Sequence, residues 1–235
     1  MPIERYMKYL FLLLLIPTIF SFANDGGVYL GSTRVIFPSS ATSESLSVTN
    51  SSKNGTWLVR SWVSLGDSDD EKNNDFIITP PLYRLDPQNT INLKINRLSD
   101  ALPKNKESLF YINAMIIPPV DKKSTDSTKI QFSINNKIKM FYRPESINSQ
   151  SNANEAFNKI SVKKEPKGFT LKNPTPYYIT LTQIEIGNNK NEGYEGLMLS
   201  PFGSEYLKCV KNCNSVKFKA INDFGGLTSE KKLNF

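Results

Sequence analysis

Few side chains in this chain are equipped for chemistry. Histidine is absent from all 235 residues, which removes Ser–His–Asp and Cys–His nucleophile systems and the common histidine metal sites. The two cysteines stand in Cys209-Val210-Lys211-Asn212-Cys213. Their spacing is not Cys-x-x-Cys, and two ligands do not complete a structural zinc site. In an exported chain an even pair reads first as a disulfide, here a clip on a hairpin, with a redox role as the sharper rival. Paired carboxylates could serve glycoside hydrolysis, but nothing in the sequence marks a sugar site. The formal charge is +7. Without a nucleic-acid motif, that excess suits an acidic protein partner or a free carboxylate better than DNA or RNA. The expectation is a protein that is not an enzyme and carries no cofactor and no metal.

The compartment follows from the first residues. Arg5 and Lys8 precede an apolar run from Tyr9 to Ile19, and Ser21-Phe22-Ala23 places small residues where a signal peptidase reads. This is the pattern of a secretory signal peptide over 1–23. A membrane anchor would need about 20 apolar residues, so no membrane insertion of the mature chain is expected. Either Met1 or Met7 could start such a leader. The remainder, roughly 210 residues, suits one large or two ordinary domains.

Strands must carry whatever function there is. Val28 to Phe37, Glu44 to Asn50, Thr56 to Leu65, Ile91 to Leu98, Leu109 to Ile117 and Lys129 to Tyr142 are rich in β-branched and aromatic residues. Turn-forming breaks separate them, and no long 3.6-residue period intervenes, which indicates an all-β sandwich. Pro80-Pro81 and Pro118-Pro119 belong at strand ends or edges. Glu145 to Glu155 is polar and reads as a connection. A second series then covers Lys159 to Val162, Phe169 to Lys172, Tyr177 to Ile186, Gly196 to Leu199, Val216 to Ile221 and the C-terminal end. Two immunoglobulin-like domains, 24–144 and 145–235, fit better than one. Trp62 is the candidate core tryptophan.

Within Lys129 to Tyr142, Ile130, Phe132 and Ile134 alternate with Gln131, Ser133 and Asn135. By alternation alone the apolar residues face the strand's own core. Arg34 and Lys139 alone would read as solvated charges, and Glu107, Arg143 and Asp223 as unconnected ones.

A resemblance changes these readings. Lys137-Ile138-Lys139-Met140-Phe141-Tyr142-Arg143-Pro144 resembles the end of the first domain of periplasmic pilus chaperones of the chaperone–usher pathway. Thr33 to Phe37, Thr79 to Leu85, Glu107 to Tyr111, Ile117 to Pro119, Asn173 to Tyr178 and Ile221 to Gly226 are similar to family segments in the same order. The resemblance implies two immunoglobulin-like domains in a boomerang arrangement, in the periplasm, with pilus or fimbrial subunits and an outer-membrane usher as partners. It implies that Ile130, Phe132 and Ile134 enter a subunit that lacks its last strand, a form of β-augmentation. It implies that Arg34 and Lys139 anchor the subunit's C-terminal carboxylate, and that Glu107, Arg143 and Asp223 form an ion cluster between domains. The segment Val120 to Thr128 resembles the loop of the short-loop subclass. Strict alternation sets Lys139 on the face opposite Ile134, so either a twist or bulge reconciles their roles or they serve different surfaces. The rival readings are a fimbrial structural subunit or adhesin, which should have a donor extension and one incomplete domain, and a periplasmic enzyme.

Overall fold

The computed structural model describes residues 26–66, 73–119, 130–187, 189–190, 194–209 and 213–235. The expected signal peptide and the Val120–Thr128 loop lie outside them. The described chain first forms nine strands: β1 (Val28–Leu30), β2 (Arg34–Pro38), β3 (Ser43–Asn50), β4 (Trp57–Ser64), β5 (Phe76–Thr79), β6 (Leu82–Leu85), β7 (Asn89–Arg97), β8 (Ser108–Ile117) and β9 (Ile134–Arg143). They build two facing sheets, ordered β1-β3-β7-β5 and β2-β9-β8-β4-β6. Alternate residues of both sheets meet in one core, with Phe76 set edge-on between Phe37 at 5.0 Å and Phe110 at 4.7 Å. Such aromatic pairs favour this offset geometry over face-to-face stacking.

The expected strand Val28 to Phe37 is two strands in two sheets. Gly31-Ser32-Thr33 carries the chain across, and a Cβ at Gly31 would collide with the Ser47 side chain. Pro80-Pro81 makes a similarly short crossing between β5 and β6, at a cis Thr79–Pro80 bond. Ser61 fixes that turn by donating its N–H to Pro81 O and its hydroxyl to Pro80 O. Pro118-Pro119 follows the end of β8, since proline cannot extend the ladder.

Trp62 is not a core residue. It belongs to the outward row of β4 with Leu58 and Arg60, and the Arg60 guanidinium covers its ring at 5.1 Å. Val59 and Val63 fill the core, and Trp57 packs against it. A period of two fixes which residues share a face but not which face is inside.

The Glu145 to Glu155 connection contains a 3₁₀ turn (Glu145–Ile147) and a short helix α1 (Gln150–Asn154), whose N-cap Ser149 accepts from Asn152 N. A further 3₁₀ turn (Ala156–Lys159) leads into β10 (Ser161–Glu165), β11 (Gly168–Lys172), β12 (Ile179–Ile186), β13 (Asn189–Lys190), β14 (Met198–Leu199), β15 (Ser204–Lys208), β16 (Ser215–Ala220) and β17 (Lys231–Asn234). These form a three-stranded sheet β10-β11-β15 against a second sheet β13-β12-β16-β17, with β14 also paired to β12. Phe169, Leu171, Leu181, Leu207, Val216 and Phe218 form a second, separate core. Cys209 and Cys213 are joined in a disulfide that closes the connection between β15 and β16. No helix among the described residues is long and apolar enough to cross a membrane.

Candidate functional site

The site is built on β9. Its pairing with β8 runs without a shift from Ser108↔Tyr142 to Ile116↔Ile134. Unbroken register means strict alternation, so the two faces of β9 can be read directly. Met140 and Tyr142 are buried in the first core, with Ile138 packed against it. Ile134 shares their parity, and Ile130 and Phe132 continue it, but these three are 65%, 80% and 77% exposed. The expectation that they face their own core is overturned. So is a strand beginning at Lys129, because the ladder starts at Ile134. The cause is the end of β8 at Ile117: the two prolines beyond it offer no N–H to residues 130–133. Among the described residues, Gln131 Nε2 still donates to Pro118 O there at 2.8 Å.

On its other flank β9 pairs with β2 in parallel, but only over Arg34↔Lys139 to Pro38↔Arg143. Residues 134–138 have no strand on that flank among the described residues. There is no bulge to bring Lys139 round to the Ile134 face. The apolar row and the cations therefore occupy opposite faces of one strand.

Arg34 and Lys139 are register partners and lie side by side on the outward face, in the same row as Ile36, Phe141 and Arg143. Like charges directly opposed across strands repel, so an anion is favoured beside them. Arg34 is held from both domains. Its Nη1 donates to Ile221 O at 3.0 Å, and its guanidinium lies 5.7 Å from the Phe141 ring centre. Its Nε is buried without a hydrogen-bond partner among the described residues. Burial pulls the Arg34 pKa down, and the Asp223 and Glu107 charges oppose that.

Beside it, Arg143 joins two carboxylates from different sandwiches. Its Nε donates to Glu107 Oε1 at 2.8 Å, while Nη1 and Nη2 donate to the two oxygens of Asp223 at 2.7 and 2.8 Å. Glu107, just before β8, and Arg143, the last residue of β9, are almost wholly buried, and Asp223 is slightly open to solvent. Desolvation is the largest influence on Arg143, yet the carboxylates outweigh it and raise its pKa. For Glu107 desolvation prevails and raises its pKa despite Arg143 and the Tyr178 N–H. The Glu107 main chain also crosses the boundary, its N–H donating to Pro176 O.

Several contributors were not identifiable from the sequence. Asn173, fully buried, donates to Tyr177 O and Ser200 O and accepts from the Thr175 N–H and hydroxyl. It thereby shapes the Asn173-Pro174-Thr175-Pro176 turn that delivers Tyr177 and Tyr178 to the boundary. Tyr178 N donates to Glu107 Oε2 at 2.7 Å, its ring lies 5.7 Å from Phe141, and Arg143 lies 5.4 Å from the Tyr177 ring centre. Asn-Pro marks a turn, but not that its amide is buried. Gly225, with φ of 81°, brings the Ile221–Gly226 loop against Thr33, where a Cβ would stand 2.3 Å from Thr33 Oγ1.

Comparison with known proteins follows the same order along the chain. Residues 27–148 match the pili and flagellar-assembly chaperone, PapD N-terminal domain, and residues 155–232 match the pili assembly chaperone PapD, C-terminal domain. The chaperone protein FimC of Escherichia coli K12 is 35% identical over 206 residues, covering 87% of this chain and 83% of FimC. The chaperone protein FocC of Escherichia coli is 35% identical over 210 residues, covering 88% and 89%. The crystal structure of the periplasmic chaperone SfaE superposes with a TM-score of 0.73 at 33% identity, covering 88% of this chain and 98% of SfaE. The SafB chaperone, solved in complex with the SafA pilin of Salmonella enterica, gives 0.77 at 27% identity, covering 89% and 97%. Matched over residues 27–148 and 155–232 by both halves of one family in their proper order, the chain belongs to the PapD-like pilus assembly chaperones.

Proposed function

We propose that this chaperone acts in the periplasm, without catalysis or cofactor, by lending the Ile130–Ile134 segment and the adjoining edge of β9 to a pilus subunit and delivering that subunit to an outer-membrane usher. Domains 24–144 and 145–235 form the two walls of the cleft, and residues 1–23 are the export signal. The observation that carries the reading is the row Ile130, Phe132 and Ile134, which extends the core-facing row of β9 into solvent. Burying such side chains stabilises a complex by roughly 1.5–3 kcal/mol each, before the cost of association. Beside that row, no strand among the described residues pairs with the second flank of residues 134–138, which leaves a place for an added strand. Arg34 and Lys139, in adjacent register at the end of that open flank, suit a terminal carboxylate through charge-assisted hydrogen bonds. The pilin held by the related SafB chaperone supports a subunit as the guest.

The test is co-purification from a periplasmic extract. Wild-type chaperone should carry a pilus subunit identifiable by mass, whereas the Phe132→Ser and Ile134→Ser variants should be folded and empty. Undiminished subunit recovery by both variants refutes the lent-strand assignment.

A further inference from the structure

We infer that Phe141 is a positioning residue for Arg34, so that the carboxylate anchor is assembled by both domains together rather than supplied by one arginine. The inference rests on the carboxylate-anchor reading above. Arginine on a strand usually reaches into solvent through a mobile stem. Arg34 does not. Its guanidinium lies over the Phe141 ring at 5.7 Å, and its Nη1 is committed to the Ile221 carbonyl of the second sandwich at 3.0 Å. Phe141 is itself buried and lies 5.7 Å from Tyr178 of the second sandwich. Tyr178 is tied by its N–H to Glu107, and the loop that carries Ile221 is tied through Asp223 to Arg143. Ring, carbonyl and ion cluster thus leave the guanidinium one orientation.

The consequence is specific to charge recognition. A guanidinium fixed before the ligand arrives loses less freedom on binding than one that must be ordered by it. Removing the aromatic face while keeping apolar volume should therefore weaken recognition of a carboxylate and leave the apolar and main-chain contacts of the same ligand untouched. A desolvated cation–π contact supports an effect of about 5- to 30-fold.

The experiment uses the full mature chain and two probes: a short synthetic peptide of alternating valine and serine with a free C-terminal carboxylate, and the same peptide as its C-terminal amide. Wild type should bind the carboxylate form more tightly. Phe141→Leu should lose most of that preference with amide binding unchanged, Phe141→Tyr should restore it, and Phe141→Leu added to Arg34→Ala should cause no further loss. Should Phe141→Leu fold poorly, Gly225→Ala probes the same clamp from the other side, because its Cβ would push the Ile221 loop off Thr33. A folded Phe141→Leu or Gly225→Ala chain that keeps the full carboxylate preference overturns the positioning role while the anchor stands. A wild-type chain that binds both probes equally, or neither, overturns the anchor and the positioning role together.

Discussion

Replacing Arg143 by Met keeps an apolar stem of similar reach and removes the charge that joins Glu107 to Asp223. Glu107 is 2% exposed and Asp223 16%, so the two respond differently. Asp223 can recover water, but among the described residues Glu107 keeps the Tyr178 N–H alone. Breaking a buried pair from one side costs about 3–5 kcal/mol, and near-complete burial of Glu107 places this case within that range at pH 8. The effect should shrink in acid. Burial holds the folded-state pKa of Glu107 above its unfolded value, and losing Arg143 removes an influence that lowers it. A carboxyl with a raised folded pKa binds more protons folded than unfolded, so stability falls as pH rises from the unfolded value to the folded one. The variant should therefore lie closer to wild type at pH 5 than at pH 8. Both tryptophans, Trp57 and Trp62, lie on β4 of the first sandwich, so tryptophan fluorescence in urea follows that domain alone. A difference below 1 kcal/mol at pH 8, or one equally large at pH 5, refutes this account of the cluster.

Three further outcomes are expected. Arg34→Ala and Lys139→Ala should each abolish recovery of a pilus subunit from periplasmic extract while the circular dichroism of the free chaperone is unchanged. Asn173→Leu leaves the Tyr177 and Ser200 carbonyls and the two Thr175 donors without their partner, and at about 1 kcal/mol for each hydrogen bond it should cost roughly 4 kcal/mol in calorimetric unfolding of the second sandwich. Reducing Cys209–Cys213 reopens a short loop, which by chain entropy removes about 2 kcal/mol; reduction should lower the melting temperature of that domain and leave peptide binding at the cleft intact.

Periodicity reveals parity more readily than side. The alternation in β9 correctly groups Ile130, Phe132 and Ile134 with Met140 and Tyr142, yet places them inside. Where a core ends depends on the length of β8, which Pro118-Pro119 sets on the neighbouring strand. Trp62 was misplaced for the same reason, since β4 carries large side chains in both rows. The short strands β5, β6 and β15 leave few alternations to register, and Pro80-Pro81 interrupts the first two. Glu107, Arg143 and Asp223 could be grouped only through the family pattern: no local rule joins residues 80 positions apart. Asn173 left no signal beyond a turn, because burial of a polar side chain is decided by the chain that closes over it.

The half-length pairing of β2 with β9 has a directional consequence. Ahead of Arg34, residues 134–138 of β9 have no strand on that flank among the described residues, a column of roughly 16 Å. A visitor filling that column with its terminus against Arg34 and Lys139 must run the same way as β2, and hence parallel to β9. Parallel neighbours cannot be linked by a tight turn, so this berth favours a polypeptide whose chain ends there, and its polarity is dictated before any side chain is read.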